Sequence, residues 1–565
     1  MKITKTDGGF IFESDHVKFD FLTDVIPIAN GGLYDYTAKG NIPVPIIQRG
    51  DRLLLPVDEG IAITADRKYE DGEFDCENIQ GRFCSREGTL SMVIVEREEK
   101  FLLIMLHEGA YGSYSARRVD GIYRLEMMTE METIVSYGIF NKLSDACKCY
   151  RNAKNICPVT LREKRINNPK IEKLIGGAVF WLWNENYDKV MYSDKDTDIS
   201  AAVGDELLKV ADRMKDAGID KALFGVFFND DSKYVEELYE KYGYLATQYD
   251  NYSDVLNPKL LDIIPNNRVR ACDYTRRRMS DYPVGVRVKQ DGTLSDAWAL
   301  KGFDGKYYNQ NHLCAKIAKE RMMEEIPLIL KEYPYYSGRF IDVLGGGIES
   351  CYSKTHPMTR KECIKVKSEA LSFLGDIGLI AGTEDGFEDL IDSLVYTEGL
   401  HSPVYFRNKN SGRKHAHIYD SERAEHIRMQ MLDPSCRVPL WQLVYHDAMI
   451  ILPYWGDSTA SSGKLLKQKI LFACLYGCAP LYSCFINDFE NSFDEIVSSY
   501  KKITEIHERI AELPMTDFEV LDKDYKLQRS VFDDIYEIIV NFSDEDRFYN
   551  GNMVGANDYY FGALR

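Results

Sequence analysis

The sequence GRFIDVLGG at residues 338–346 begins the unit around which this chain is organised, and IGLIAGTEDG at residues 377–386 ends it. Each stretch is a short apolar run that reaches a carboxylate and then breaks at glycine, which is typical of a buried parallel strand. Between them, Thr359 and Glu362 have the spacing of a capping box, so a helix is predicted to begin there. The unit is therefore predicted to be strand, helix, strand, with a carboxylate at the carboxyl end of each strand.

The two carboxylates, Asp342 and Glu384, are the candidate catalytic pair. Active sites of parallel sheets lie at the carboxyl ends of the strands, and adjacent strands are about 4.8 Å apart. Glycoside hydrolysis uses paired carboxyl groups roughly 5–10 Å apart. A structural interpretation also stays open, in which Asp342 caps the next helix and Glu384 accepts a hydrogen bond from a loop amide.

Composition limits the class of protein. The chain has 565 residues and a net charge of -19, which argues against nucleic acid or an anionic membrane as the main partner. A neutral substrate such as a carbohydrate, or a cationic one, remains possible. No apolar run approaches the roughly 18 residues of a membrane-spanning helix, and the first nine residues do not resemble a signal peptide. The 13 scattered cysteines fit reduced thiols, so a cytoplasmic location is predicted. The oligomeric state is left open.

Three domains are predicted, in a multidomain α/β plus β fold. Residues 1–165 combine alternating apolar residues with frequent turn signals, which is typical of a β-sandwich. Residues 166–490 alternate strands and helices and predict a (β/α)8 TIM-type barrel. Residues 491–565 predict a small cap of helix and β-strands.

Seven barrel strands are predicted, and the eighth has to be guessed. Besides the two strands of the opening unit, the apolar runs lie at residues 177–183, 222–228, 244–249, 438–447 and 479–483. The run at 438–447 ends at His446 and Asp447, and residues 450–457 are expected to line the same mouth. An irregular insertion over about 253–312 holds three consecutive arginines, which form either a solvated cluster or part of a loop over the substrate.

This order of domains, together with the motifs FIDV at 340–343, GTEDG at 382–386 and YHD at 445–447, resembles the α-N-acetylgalactosaminidase group of glycoside hydrolases, families 101 and 129. The resemblance implies retaining hydrolysis of an α-linked sugar, an α-N-acetylgalactosaminide or an α-galactoside, with Asp342 as nucleophile and Glu384 as general acid and then base. It also implies that Asp447 binds substrate hydroxyl groups.

The spacing leaves alternatives for the acid. Asp342 and Glu384 are 42 positions apart, which is longer than the resemblance implies, so Asp385 and Glu349 are rivals for the acid role.

Further substrate-binding candidates lie at or near predicted strand ends. Sugar sites use aromatic platforms and several polar groups, although core packing is an equal explanation for each aromatic residue. The candidates are Trp183, Tyr249, Asp385, Tyr445, His446, Asp447 and Trp455, with Trp441 as a further aromatic residue.

Two other functions are considered. One is a glycan-binding protein with an inactive barrel. The other is a metal-dependent barrel hydrolase with Asp447, His446 and His312 as ligands. Because no H-x-x-x-H or H-E-x-x-H spacing accompanies these residues, neither a metal nor a cofactor is predicted.

Overall fold

The N-terminal region is built of antiparallel strands. The structure is a computed structural model that describes residues 2–23, 25–67, 78–154, 157–183, 206–226, 232–267, 269, 279–398, 432–453 and 463–564. A three-stranded sheet and a nine-stranded sheet make up this region. Their strands are β1 Lys2–Thr6, β2 Gly9–Ser14, β3 Val17–Phe21, β4 Ile28–Asn30, β5 Leu33–Ile42, β6 Arg52–Leu55, β7 Ile61–Thr64, β8 Asn78–Arg82, β9 Met92–Arg97, β10 Lys100–Leu106, β11 Gly112–Val119 and β12 Ile122–Phe140.

The small sheet packs face to face on the large one through aromatic rings. Phe12 and Phe21 lie 5.8 and 5.7 Å from Tyr137 between ring centroids, and all three are buried. Packing of this kind between the inner faces of two sheets is what alternating apolar residues predict. The strand-rich character predicted for this region is therefore confirmed, while the predicted domain boundaries remain predictions.

Helices and parallel strands follow one another between residues 143 and 510, a range that includes the alternation predicted over residues 166–490. In chain order the elements are α1 Leu143–Ala153, α2 Leu161–Asn167, β13 Ala178–Trp183, α3 Glu206–Asp216, β14 Ala222–Val226, α4 Ser232–Glu237, β15 Leu245–Asp250, β16 Asp254–Val255, β17 Asp296–Lys301, β18 Tyr307–His312, α5 Ala315–Glu332, β19 Gly338–Ile341, α6 Arg360–Asp376, β20 Ile380–Thr383, β21 Tyr396–Thr397, α7 Leu440–Tyr445, β22 Ile450–Ile451, α8 Gly463–Tyr476, β23 Leu481–Phe485, α9 Ile486–Asn491 and α10 Phe493–Ile510.

Eight of these strands form one parallel sheet in the order β22-β21-β20-β19-β15-β14-β13-β23. The sheet curls until its two edges approach each other. The amide of Ala479, just before β23, donates a hydrogen bond of 3.1 Å to the carbonyl of Ile451 in β22. The predicted parallel arrangement of strands is thus confirmed as a curled sheet of eight strands, while its closure into a (β/α)8 TIM-type barrel remains a prediction.

The opening unit of the sequence has the predicted form. Gly338–Ile341 and Ile380–Thr383 are the neighbouring strands β19 and β20, and α6 connects them. The Thr359 hydroxyl accepts a hydrogen bond from the Glu362 amide, and the Glu362 carboxylate accepts one from the Thr359 amide. Both halves of the predicted capping box are therefore present.

The strand predicted at residues 438–447 is wrong. Leu440–Tyr445 is the helix α7, whose six residues are all buried, and the amide of Trp441 donates to the carbonyl of Glu59 in the N-terminal region. An apolar run of this length has no periodicity that separates a buried strand from a buried helix. The two strands that complete the sheet are β21 and β22, each of two residues.

The insertion and the C-terminal region are small antiparallel units. Strands β16, β17 and β18 form a three-stranded sheet within the insertion, and the three consecutive arginines of the insertion lie outside the described residues. The C-terminal strands are β24 Met515–Val520, β25 Leu527–Phe532, β26 Tyr536–Asn541, β27 Arg547–Tyr549, β28 Asn552–Val554 and β29 Asp558–Ala563. The predicted combination of helix and strands is confirmed there.

Among the described residues, no helix is both long and apolar enough to cross a membrane.

Candidate functional site

Four polar residues follow the ends of four neighbouring parallel strands. In the register of the sheet, Asp250 pairs with Ile341, Ile341 with Thr383, and Thr383 with Thr397. The next residue along each strand is Asn251, Asp342, Glu384 and Glu398, respectively. Because neighbouring strands are about 4.8 Å apart, this register brings one amide and three carboxylates into a single row at the carboxyl edge of the sheet.

The carboxylate of Asp342 is held from the neighbouring strand. The hydroxyl of Tyr249 donates a hydrogen bond to its Oδ2, and Nδ2 of Asn251 donates a second one to the same oxygen at 3.1 Å. The backbone amide of Asp342 donates to the carbonyl of Asp250 at 2.9 Å. Donors of this kind orient a carboxylate and stabilise its negative charge.

Asn251 is itself fixed by its surroundings. Its Oδ1 accepts hydrogen bonds from the amides of Ser253 and Asp254 at 3.0 and 2.9 Å, so its Nδ2 must face Asp342 and the carboxylate of Asp254. The side chain is fully buried. A second layer of contacts thus positions the donor to Asp342.

The backbone is strained directly after Asp342. Val343 has a φ of 62°, a conformation that a β-branched residue rarely adopts. Gly345 follows, and a Cβ atom at this position would lie 2.0 Å from the carbonyl oxygen of Asp385. Only glycine allows the loop after β19 to pack so closely on the chain after β20.

Two threonines fix the backbone around Glu384. The hydroxyl of Thr383 donates to the carbonyl of Ile341 at 2.8 Å and accepts from the amide of Gly345 at 3.1 Å. The hydroxyl of Thr397 lies 3.0 and 3.2 Å from the carbonyl oxygens of Thr383 and Glu384. Glu384 is partly exposed. It directly follows the end of β20, which the hydroxyl groups of Thr383 and Thr397 connect to the strands on either side.

Asp385 and Glu349 have different surroundings from Glu384. Asp385 is fully buried, and its Oδ2 lies 4.0 Å from the guanidinium group of Arg86 in the N-terminal region. Glu349 is half exposed and pairs with Arg287 at 2.9 Å and with Arg82 at 3.6 Å. Both rivals of Glu384 therefore face cationic groups.

Aromatic side chains line the sheet beside Asp342. Trp181 and Trp183 lie two residues apart on β13, with ring centroids 6.4 Å apart and nearly parallel. Trp181 also meets Tyr249 and Phe340 edge to face. Tyr249 and Trp183 lie at the carboxyl ends of β15 and β13, and their role in substrate binding remains a prediction. Trp181, which the sequence analysis did not single out, lies beside them. Trp455 lies outside the described residues.

Asp447 lies away from the row of strand ends. It precedes β22, so it lies at the amino end of that strand, whereas Asp342 follows β19 at the carboxyl end. Its carboxylate binds the guanidinium group of Arg151 with two hydrogen bonds of 2.7 and 3.0 Å. The prediction that a strand ends at Asp447 was wrong, and the structure therefore does not bring this residue to the predicted mouth.

Tyr445 and His446, like Asp447, lie away from the row of strand ends. The hydroxyl of Tyr445 donates to the buried carboxylate of Glu388 at 3.3 Å. His446 lies with Nδ1 2.7 Å from the carbonyl of Leu513 and Nε2 3.2 Å from that of Gly477, and burial lowers its pKa. The contact of His446 with Leu513 joins the barrel region to the C-terminal region.

The metal trio considered from the sequence is also separated. His312 lies 3.5 Å from Asp254 in the insertion, and burial lowers its pKa. His446 and Asp447 lie at the amino end of β22.

Trp441 is fully buried in α7, where its backbone contacts the N-terminal region.

The sequence analysis did not single out Glu398 or Asn251. Glu398 follows a strand of two residues, which is too short to produce an alternating pattern. Asn251 had a usable signal, because Asp250 and Asn251 are polar residues directly after an apolar run. Asp250 is fully buried beside Arg339, whose Nη1 lies 3.3 Å from its Oδ2.

Comparison with known proteins identifies a family. Residues 213–531 match the family model described as glycosyl hydrolases related to the GH101 family, GH129. This match covers more than half of the chain. Among curated proteins, none matches the sequence.

Solved structures resemble the fold along nearly the whole chain. The ligand-free α-N-acetylgalactosaminidase NagBb from Bifidobacterium bifidum has a TM-score of 0.69 and 18% identity, over 96% of this chain and 98% of that one. The same bacterial protein in complex with GalNAc has a TM-score of 0.64 and 16% identity, over 96% and 90%. Its complex with Gal-NHAc-DNJ has a TM-score of 0.67 and 15% identity, over 99% and 100%. At such identities the likeness concerns the fold.

Proposed function

This chain belongs to family GH129 of the glycosyl hydrolases, and from this we propose that it is a retaining α-glycosidase with Asp342 as nucleophile and Glu384 as acid and base. The observation that carries the proposal is the register of β19 and β20. Ile341 pairs with Thr383, so the two carboxylates follow directly on neighbouring strands. Retaining enzymes need their two carboxyl groups about 5–5.5 Å apart, which is close to the distance between adjacent strands.

The contacts of Asp342 suit a nucleophile. In the first step a carboxylate oxygen attacks the anomeric carbon, the bond to the leaving oxygen breaks, and Glu384 gives its proton to that oxygen. In the second step Glu384 takes a proton from water, the water oxygen attacks the same carbon, and Asp342 leaves as a carboxylate. Two inversions give retention. Tyr249 and Asn251 hold Asp342 in one orientation throughout.

Glu384 is favoured over the other carboxyl groups by reach and by distance. Asp385 is fully buried, and Glu349 is tied to two arginines. Glu398 follows β21, two strands from β19, and so begins about 9.6 Å from the nucleophile. That separation is closer to the geometry of an inverting enzyme than to that of a retaining one.

We propose an α-N-acetylgalactosaminide as the substrate. The Bifidobacterium bifidum structures that share the fold are named as an α-N-acetylgalactosaminidase, and one of them is a complex with GalNAc. A neutral sugar is compatible with the net charge of -19, because its binding needs no basic surface. An α-galactoside is the second candidate.

The test is hydrolysis of a panel of aryl α- and β-glycosides that includes the α-N-acetylgalactosaminide and the α-galactoside. We expect release from an α-glycoside, with the α-anomer as the first product in a proton NMR time course. Asp342→Asn should abolish release. Glu349→Gln is the matched control. This variant should still release the aryl alcohol, because the half-exposed carboxylate of Glu349 is not one of the two proposed catalytic groups.

Glu384→Gln tests the acid role separately. Release of a poor leaving group needs protonation, whereas a dinitrophenolate leaves without it. The variant should therefore lose much more activity on the poor leaving group than on the dinitrophenyl glycoside. The β-anomer as first product, or an active Asp342→Asn variant, would contradict the proposed mechanism.

A further inference from the structure

Two cysteines and a histidine meet in a buried cluster outside the row of carboxylates. Sγ of Cys314, Sγ of Cys351 and one ring nitrogen of His356 all lie within 4.8 Å of one another. Their exposed fractions are 0%, 3% and 7%. The eleven cysteines in the described part of the chain are free thiols, so neither sulfur is committed to a disulfide. We propose that this cluster binds one zinc ion through Cys314 Sγ, Cys351 Sγ and His356 Nδ1.

The histidine is prepared for a ligand on its Nδ1 side. Its Nε2 lies 2.7 Å from the carbonyl oxygen of Val284, which can only accept, so Nε2 carries the proton and donates. Nδ1 is then left with its lone pair, and it faces the sulfur of Cys351 at 3.4 Å. A histidine that binds a metal typically donates its other N–H to a backbone carbonyl in this way.

A backbone amide and a helix terminus lie beside the two sulfurs. The backbone amide of Val288 donates to Sγ of Cys351 at 3.5 Å. Cys314 is the N-cap residue of the 18-residue helix α5, where the unpaired amides of the first turn stabilise negative charge. Burial raises the pKa of the Cys314 thiol, and a cysteine that binds zinc releases its proton on binding, so the proposal rests on the geometry of the three side chains.

The distance between Cys351 and His356 fits a tetrahedral zinc ion. Zinc binds sulfur at about 2.3 Å and nitrogen at about 2.0–2.1 Å, so two ligands of a tetrahedron lie about 3.6 Å apart for sulfur and nitrogen and about 3.8 Å apart for two sulfurs. The Cys351–His356 distance of 3.4 Å is close to the first value, and the 4.8 Å limit of the cluster allows the second after a small contraction.

The ligand chemistry selects the metal. Calcium and magnesium prefer oxygen ligands, whereas two thiolates and an imidazole suit zinc. Two thiolates also neutralise the divalent charge, which a site buried to this extent requires. With three protein ligands identified, the fourth position can be taken by a water molecule.

The role we assign to this ion is structural. Cys314 directly precedes α5. Cys351 and His356 lie in the loop between β19 and α6, and Asp342 is the first residue of that loop. Val284, which accepts from His356, belongs to the insertion. A zinc ion would therefore join the insertion, α5 and the loop after the nucleophile strand.

The experiment is elemental analysis of protein purified under reducing conditions without chelators, followed by replacement of the ion with Co²⁺. We expect about one zinc per chain in the wild type and a thiolate-to-cobalt charge-transfer absorption after replacement. Cys314→Ser, Cys351→Ser and His356→Ala should each lose most of the zinc. Cys147→Ser is the matched control, because Cys147 is an equally buried thiol in the remote helix α1, and it should keep the full zinc content.

Measurements on the wild-type protein alone also test the proposal, in case a variant does not fold. Its thiols should react with Ellman's reagent more slowly when zinc is bound, and removal of zinc by a chelator should lower the thermal unfolding midpoint. Wild-type protein that contains no zinc and shows no thiolate-to-cobalt absorption overturns the inference. So does full zinc content in a folded Cys351→Ser variant.

Discussion

The hydroxyl of Tyr249 gives a direct test of how Asp342 is held. Tyr249→Phe keeps the ring and removes one of the two hydrogen bonds donated to the carboxylate. A hydrogen bond to a charged group contributes about 1.5–3 kcal/mol. In the proposed reaction Asp342 loses its charge in the first step and regains it in the second. The bond therefore weakens on the way to the first transition state and strengthens on the way to the second, so it lowers the barrier of the second step only.

We expect the second step to slow selectively in this variant. Because 1.36 kcal/mol corresponds to a factor of ten in rate, hydrolysis of the glycosyl-enzyme should fall about 10- to 150-fold. Attachment of the sugar should change much less. Stopped-flow measurements with an aryl α-glycoside should then show a burst of aryl alcohol followed by slow turnover, and intact mass spectrometry should detect the glycosylated enzyme.

Tyr244→Phe is the matched control. Its hydroxyl donates to the carbonyl of Ile219 at 2.5 Å, just before the amino end of β15 and away from Asp342. This variant should lose some stability and keep the turnover and the absence of a burst found in the wild type. A folded Tyr249→Phe variant with wild-type turnover, or one that slows both steps equally without accumulating an intermediate, would refute the reasoning.

The remaining predictions concern stability. Because the carboxylate of Asp447 binds Arg151, Asp447→Asn should lower the free energy of unfolding by about 1.5–3 kcal/mol in denaturant titrations and leave KM unchanged. As a control, Asp220→Asn at an exposed ion pair should change the free energy of unfolding by less than about 1 kcal/mol. Burial lowers the pKa of His507 to about 3, below its unfolded value of about 6.5. The free energy of unfolding should therefore keep its full His507 contribution above pH 6.5 and fall by roughly 2 kcal/mol between pH 6.5 and pH 5. In the same unfolding assay, His507→Gln should show a weaker pH dependence. Thr359→Ala removes the cap of α6 and should cost about 1 kcal/mol, measured by thermal unfolding against Ser353→Ala in an exposed turn.

The central strand-helix-strand unit was predictable because each of its signals is local. Two short apolar runs end at a carboxylate and glycine, and Thr359 and Glu362 show where the helix begins. The relative position of Asp342 and Glu384 also followed, since neighbouring parallel strands share one carboxyl edge. Neither inference needed knowledge of distant contacts.

The errors arose where distant contacts decide the structure. Residues 440–445 are apolar except for Gln442 and become a helix that is buried on all sides. A strand was predicted there, so Asp447 was assigned to the wrong end of the sheet. Strands β21 and β22 are two residues long and leave no periodic signal, so Glu398 was not recognised. Cys314 lies far in sequence from Cys351 and His356, and only the folded chain brings the three together.

The loop after Asp342 shows why such distant contacts matter for the proposed chemistry. Val343 is held in a conformation that costs about 1–3 kcal/mol, which persists only where the surroundings enforce it. Lys367 supplies part of this constraint by donating to the carbonyls of Leu344 and Gly347 at 2.6 and 2.5 Å. Thr383 supplies another part through its hydrogen bond with the Gly345 amide. The cysteine and histidine cluster would fix the far end of the same loop, so the strain beside Asp342 is opposed by contacts from β20, α6 and α5.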